Sequence, residues 1–166
     1  MHLGVLRFTG ADALSFLQGQ VSNDTQRLAD NVPLFAAYSS AQGRVLALIY
    51  LLPHSSGMVA ILPREILKAT LERMRKFVLR AKVQIEDCGD SLVVAGHSGA
   101  MAEASGGYFE RDGIGFAPVG HDQNRYLIIA APERLAPAAD IAESQRIEKE
   151  WRLADIHAGL PQIYAA

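Results

Sequence analysis

The feature that most constrains the fold is a series of apolar segments between residues 34 and 78. Residues 34–39, 45–52 and 57–62 are short apolar runs, and a polar stretch containing Gly43 separates the first two. This pattern predicts three strands, with the first two joined as a hairpin that bends at Gly43. Pro63 then begins a predicted helix, because proline is tolerated in the first turn. Its apolar face comprises Leu67, Leu71, Met74 and Val78.

The rest of the chain continues this mixture of strands and helices. Residues 11–19 and 144–157 have helical spacing, and Gly159 ends the second of these segments. Residues 83–85, 92–95 and 126–130 read as further strands. Because the strands come both in adjacent pairs and separated by helices, we predict an α+β fold with mixed or antiparallel sheets and helices packed on one side. We expect one domain over residues 1–166, either as a single body or as two tightly packed lobes.

Composition excludes several kinds of site. Cys88 is the only cysteine, so the chain can form neither an internal disulfide nor a four-thiolate iron–sulfur site of its own. The five histidines have no spacing typical of zinc, and we expect no metal. No apolar run is long enough to cross a bilayer, so we expect a cytoplasmic protein with no membrane partner.

The formal charge of −2 is unevenly distributed. Residues 64–82 hold seven lysines and arginines against two glutamates, a local charge of +5, so the remainder carries −7. An anionic partner at this segment is one interpretation, and a solvated helix face is the other. Direct contact with tRNA is not expected, because Phe77 is the only aromatic residue in the segment and stacking on bases needs several.

Two short motifs have simple structural interpretations. Residues 96–99, Gly-His-Ser-Gly, follow an apolar strand and could cradle a phosphate, but they lack the rest of a phosphate-loop signature. We therefore favour a tight strand-to-helix turn there. Cys88 lies beside Asp87, which favours an inert thiol over a nucleophile.

Several blocks of sequence, taken in order, carry a resemblance to a known family. Residues 8–13, 16–24 and 41–46 resemble the opening of the YgfZ family. Residues 75–83 resemble its L-K-K-Y-x-x-R-x-K-V segment, and Trp151 with residues 156–161 resembles its W-x-x-x-x-I-x-A-G-x-P segment. The blocks keep the family order over nearly the whole chain.

The resemblance implies a folate-binding domain like that of the glycine-cleavage T proteins, which are aminomethyltransferases. It implies tetrahydrofolate or a derivative as ligand, and support of iron–sulfur cluster assembly or repair with an indirect effect on tRNA thiomodification. Iron–sulfur enzymes or their assembly factors would then be partners. The residues expected to contact folate are Asn23, Asp24, Tyr38, Gln42, Arg44 and His157. Those expected to meet its anionic glutamate tail are Arg75, Arg80 and Lys82.

Structural alternatives stay open for most of these residues. Asn23 and Asp24 are also typical turn residues, Tyr38 could be a core residue of its strand, and Arg44 could be a solvated hairpin charge.

The sequence departs from the T-protein pattern at two positions important for chemistry. T proteins carry an aspartate in G-G-V-I-D-D, where this chain has Ala47 and Leu48. Without that carboxylate we expect binding and no catalysis. Folate-dependent aminomethyl transfer remains the alternative function, and an RNA-contacting role of residues 64–82 the third. His157 stands where T proteins carry glutamate, and it offers no bidentate acceptor to a pterin.

YgfZ proteins continue past the A-G-x-P block into a K-G-C-Y-x-G-Q-E segment that residues 1–166 do not contain. Two interpretations follow: the chain is the folate lobe of a longer protein, or it is a short form reduced to ligand binding.

Overall fold

Two antiparallel sheets form the frame of the protein, of which the computed structural model describes residues 2–101, 107–120, 122–135 and 141–165. The first sheet has the order β2-β3-β4-β1-β5 and the second the order β6-β9-β8-β7. The strands are β1 Leu3–Thr9, β2 Leu34–Ser39, β3 Val45–His54, β4 Gly57–Pro63, β5 Gln84–Asp87, β6 Val93–Ser98, β7 Phe109–Arg111, β8 Ile114–Val119 and β9 Asp122–Ala130. The helices are α1 Ala13–Gln18, α2 Arg64–Arg75 and α3 Ile141–His157, with 3-10 turns at Thr25–Asp30 and Pro132–Arg134.

The first sheet is the middle layer of the molecule. Successive side chains of a strand point to opposite faces, and in β1 Leu6 and Phe8 join a core beneath α1 and α2, whereas Leu3 and Val5 join a core against the second sheet. We call these the helix-side core and the inter-sheet core. The predicted α+β class with antiparallel sheets is confirmed.

The central prediction of hairpin, strand and helix is confirmed. β2 and β3 pair antiparallel, and Gly43 at their bend has a φ of +80°. Leu67, Leu71 and Met74 are buried on one face of α2. The helix ends at Arg75, however, so residues 76–82 form a turn, although Val78 still packs against the helix-side core.

The Gly-His-Ser-Gly segment continues a strand where a tight turn was predicted, and residues 102–106, which follow it, lie outside the described residues. Its first three residues belong to β6, which runs to Ser98. Gly96 lies directly against the indole ring of Trp151, and a Cβ at this position would clash with the ring. The glycine therefore serves close packing of α3 on the second sheet.

α3 is the exception to the expectation of helices on one side. Trp151 belongs to the inter-sheet core, whereas Ile147, one turn earlier on the same helix, is 46% exposed. The helix ends as predicted at Gly159, whose φ of +67° suits glycine. The Leu160 amide donates to the Asp155 carbonyl at 2.9 Å, which closes the last turn.

In the part of the chain that the structure describes, no helix combines the length and the apolar character needed to cross a membrane.

Candidate functional site

The second sheet leaves one corner of the first sheet uncovered. On the face of β2 and β3 that carries Phe35 and Tyr50, Ala37 and Leu48 are only half-buried. Phe35 and Tyr50 are register partners, and their ring centroids lie 4.7 Å apart. Together they form an apolar wall at the edge of the inter-sheet core.

The segment after α3 lies across this wall and encloses two cavities that share Leu160. The smaller has a volume of about 190 Å³, and Leu160 packs there on Gly120. It is lined by Val32, Pro33, Leu34, Phe35, Tyr50, Pro118, Gly120 and Leu160. The larger has a volume of about 500 Å³ and is lined by Arg152, Asp155, Ile156, Gly159, Leu160, Pro161, Gln162 and Tyr164. We call the pair the Leu160 groove, and its larger part is of the size that small organic ligands occupy.

Two residues that line the groove carry a buried polar atom without a hydrogen-bond partner in the described part of the chain. The Tyr50 hydroxyl and the Gln162 Oε1 are inaccessible to solvent and make no hydrogen bond among the described residues. Burial raises the pKa of Tyr50, so its hydroxyl remains a neutral donor. Buried polar groups in native proteins are nearly always hydrogen-bonded, so each exception calls for an explanation. A ligand that accepts from Tyr50 and donates to Gln162 would supply one.

A buried ion pair fixes the end of α3 beside the groove. Arg125 of β9 donates to the Asp155 carboxylate at 2.6 Å, and its guanidinium lies over the Trp151 ring at 4.3 Å. Burial raises the pKa of Asp155, and the adjacent guanidinium partly offsets this. This ion pair and this aromatic contact both help to set the orientation of α3.

The segment after the groove is held by hydrogen bonds to His2, just before β1, and to α2; we call these contacts the clasp. The Tyr164 hydroxyl lies 3.2 Å from His2 Nε2, and His2 Nδ1 lies 2.9 Å from the Glu148 carboxylate. The Ala165 amide donates to Glu65 at 2.7 Å. Arg152 lies over the Tyr164 ring at 4.6 Å, which places its exposed guanidinium at the edge of the groove.

This clasp predicts a pH dependence of stability. Burial lowers the pKa of His2, so the unfolded chain takes up a proton at a higher pH than the folded protein does. The stability from neutral His2 is therefore fully present above its unfolded pKa, near 6.5, and is lost as pH falls through the lower folded pKa.

We expect the melting temperature of the wild type to fall more steeply between pH 7.5 and 5 than that of His2→Gln. Burial lowers the pKa of His54 in both proteins, so the difference between the two slopes isolates His2. Parallel slopes in a thermal-melt series would contradict the assignment.

Asn23 and Asp24 make turn contacts in this structure. The Asn23 side chain donates to the Phe35 carbonyl at 3.1 Å, and Asp24 accepts from the Gln26 amide at the start of the 3-10 turn. Through this bond Asn23 contacts the backbone of Phe35, which lines the smaller cavity.

Tyr38 lies on the other side of the first sheet. Its ring is 2% exposed and packs in the helix-side core. Burial raises the pKa of Tyr38, and nearby Arg73 acts in the opposite direction. The predicted contact between Tyr38 and folate gains no support from this position.

Gln42 and Arg44 lie at the exposed tip of the hairpin. Val45, where β3 begins, is five residues from Tyr50, a distance of roughly 17 Å along a strand. His157 is exposed at the end of α3, one residue after Ile156, which lines the groove. His157 therefore directly follows a residue that lines the groove, and Asn23 contacts the backbone of another, Phe35, whereas Gln42 and Arg44 lie at the far end of β3.

The three residues predicted for the glutamate tail lie on the helix side. Arg75 donates to the Ile85 carbonyl at 3.2 and 2.7 Å, which ties α2 to β5. Arg80 and Lys82 are exposed in the turn that follows α2. The first sheet separates all three from the wall of the groove.

Sequence reasoning missed Tyr50, Gln162 and Arg152. The alternation of β3 places Tyr50 on the inter-sheet face, but nothing in the sequence marks its hydroxyl as unpartnered. Gln162 directly follows the recognised A-G-x-P block and could have been considered on that ground.

The predicted resemblance is confirmed by comparison with known proteins. The chain is 29% identical to the tRNA-modifying protein YgfZ of Sodalis glossinidius over 98% of its length. It is 27% identical to the proteins of the same name from Pectobacterium carotovorum and Photobacterium profundum, over 95% and 98% of its length. These alignments cover 54%, 51% and 52% of the relatives, so the chain spans about half the length of the curated proteins it matches. No protein-family model matches the chain.

A solved structure shares the fold. The glycine cleavage system aminomethyltransferase T from Bartonella henselae superposes with a TM-score of 0.64 at 15% identity, covering 86% of this chain and 43% of that protein. At this identity the likeness concerns the fold alone. The predicted aminomethyltransferase-like architecture is confirmed.

Proposed function

We propose that the chain binds a reduced folate in the Leu160 groove. The observation that carries the proposal is a cavity of about 500 Å³ bordered by the A-G-L-P segment, lined in part by Gln162, with Tyr50 lining the adjoining cavity. Gln162 Oε1 and the Tyr50 hydroxyl are both buried and have no hydrogen-bond partner among the described residues. A pterin ring needs an apolar slot with a few fixed polar groups, and this groove has that composition. The T-protein-like fold and the similarity to YgfZ proteins support the choice of ligand.

The cation best placed for the glutamate tail is Arg152. It borders the larger cavity, its guanidinium lies over the Tyr164 ring, and the residue is exposed to solvent. Arg80 and Lys82 would reach the same ligand only around the edge of the first sheet. His157 and Asn23 remain candidates at the border of the groove.

Ligand binding, and not aminomethyl transfer, is the activity proposed. Ala47 is fully buried in the helix-side core, and Leu48 faces the same side as Tyr50. Neither position offers a carboxylate to handle a proton at a folate nitrogen. A role in iron–sulfur cluster assembly or repair, with an indirect effect on tRNA thiomodification, is part of the proposal for the whole protein.

The test is a titration with 5-formyltetrahydrofolate, a stable reduced folate, by isothermal calorimetry. We expect Arg152→Ala to weaken binding about fivefold, since an exposed charge pair contributes up to about 1 kcal/mol. Arg44→Ala, at the hairpin tip, is the matched control and should leave the affinity within about twofold.

The reverse pattern, with Arg44→Ala weakening binding and Arg152→Ala neutral, would move the site to the hairpin that the sequence suggested. Absence of measurable binding at millimolar ligand would refute the proposal. A single-turnover assay that detected aminomethyl transfer would instead favour the enzyme.

A further inference from the structure

The turn between α2 and β5, residues 76–82, exposes an apolar side chain within a cationic rim; we call it the basic knuckle. Leu79 is 87% exposed and Phe77 is 48% exposed. Lys76, Arg80 and Lys82 around them are exposed, and none forms an ion pair within the described ranges. A single exposed leucine is ordinary. An exposed leucine ringed by cations that form no ion pair within the described ranges is, by contrast, a surface that combines an apolar anchor with positive charge.

The backbone of Leu79 is strained. Its φ of +45° lies in the left-handed region, which costs a residue with a side chain about 1–2 kcal/mol. Such conformations persist only where the surrounding structure imposes them, and they concentrate at functional sites.

The structure holds the basic knuckle from both ends. On one side Val78 packs against the helix-side core, and its carbonyl accepts from the Ala81 amide at 2.8 Å. On the other, Asp12 accepts from the Lys82 amide at 2.7 Å and donates its own amide to the Lys82 carbonyl at 3.2 Å. The exposed position of Leu79 is therefore fixed in advance, which lowers the entropic cost of contacting a partner.

We propose that the basic knuckle docks an acidic protein surface, with Leu79 entering an apolar pocket and Lys76, Arg80 and Lys82 facing carboxylates around it. Buried apolar anchors with a polar rim are the usual organisation of binding hot spots, and complementary charge at the rim speeds association. RNA is the poorer fit, because leucine has no ring to stack on a base and Phe77 is the only aromatic residue within residues 76–82.

The proposed contact is separate from folate binding. The basic knuckle adjoins the helix-side core, whereas the wall of the Leu160 groove belongs to the inter-sheet core. A turn of this size is far smaller than the roughly 800 Å² per partner of a stable complex, so we expect a weak and transient interaction unless adjoining surfaces join it.

The experiment places the photo-cross-linker benzoylphenylalanine at position 77 of the full-length protein in the cells that naturally make it. Adducts are identified by mass spectrometry, and the partner is then purified for titration. Leu79→Gly removes the anchor and keeps the fold, because glycine adopts a positive φ readily. Arg80→Glu reverses one rim charge, and Leu153→Ala, at a leucine 52% exposed on α3, is the control.

We expect an adduct with an acidic protein that Leu79→Gly and Arg80→Glu abolish and Leu153→Ala leaves intact. The purified partner should bind about tenfold more weakly to Leu79→Gly. The proposal would be overturned if the adduct contained RNA or another part of the same chain, or if no adduct formed. An adduct that survives Leu79→Gly would also overturn the proposal. So would a cross-link that free polyglutamate prevents equally in the wild type and in Leu79→Gly. That last result would favour the predicted glutamate-tail role of Arg80 and Lys82.

Discussion

Trp151→Ala should destabilise the protein by about 4 kcal/mol, the typical cost of removing a buried tryptophan. Trp151 is 7% exposed, fills the space left by Gly96 and lies under the Arg125 guanidinium. Its removal leaves a cavity in the inter-sheet core and takes away the contacts of its ring with Gly96 and Arg125, which help to orient α3. We expect the melting temperature to fall by roughly 8–16 °C in a thermal melt followed by circular dichroism.

Ile147→Ala is the matched control on the same helix. Ile147 is 46% exposed, so its truncation should change the free energy of unfolding by less than about 1 kcal/mol. If Trp151→Ala and Ile147→Ala had the same melting temperature, the packing of Trp151 would not be what stabilises α3 on the sheets. The Leu160 groove should open in Trp151→Ala, and folate affinity should fall together with stability.

The parts of the fold that were predicted correctly are those whose signals are local. The period of apolar residues fixes the β2–β3 hairpin and α2, because strand alternation and helical spacing act over a few residues. The bend at Gly43 and the end of α3 at Gly159 follow from the backbone freedom of glycine.

Gly96 shows why local signals fail elsewhere. A glycine after an apolar strand reads as a turn, but here it stays within β6 because a tryptophan 55 residues later needs the space. The competing principle is close packing between distant segments, which one sequence does not reveal. Leu79 is similar, because no propensity predicts a left-handed leucine and only the tether at Asp12 and the packing of Val78 explain it.

For the predicted folate contacts, too, local signals were informative and contacts between distant segments were not. The blocks of sequence were placed in the right order, but which side chains share a face depends on register. Alternation within β2 sends Tyr38 to the helix-side core and Phe35 to the groove. The residue that lies opposite Phe35 is Tyr50, and this pairing follows from the antiparallel register of β2 and β3.

Tyr50→Phe should therefore raise the stability of the ligand-free protein and lower its affinity for folate. The Tyr50 hydroxyl is buried and finds no hydrogen-bond partner among the residues that the structure describes, and an unsatisfied buried group costs about 1–3 kcal/mol. Removing it should raise the melting temperature by roughly 2–4 °C for each kcal/mol recovered. If the hydroxyl donates to the ligand, its loss should weaken binding of 5-formyltetrahydrofolate about tenfold, equivalent to about 1.4 kcal/mol.

The opposed signs make this variant more informative than a simple loss of binding. A damaged fold would lower stability and affinity together. A hydroxyl that serves a ligand lowers the stability of the protein only while the groove is empty. Phe35→Leu, which changes the same wall without touching a polar atom, is the control and should lower stability slightly with a smaller effect on affinity. A Tyr50→Phe protein that gains stability but binds folate as tightly as the wild type would show that the hydroxyl serves another ligand or none. The Leu160 groove would then have to be reassigned.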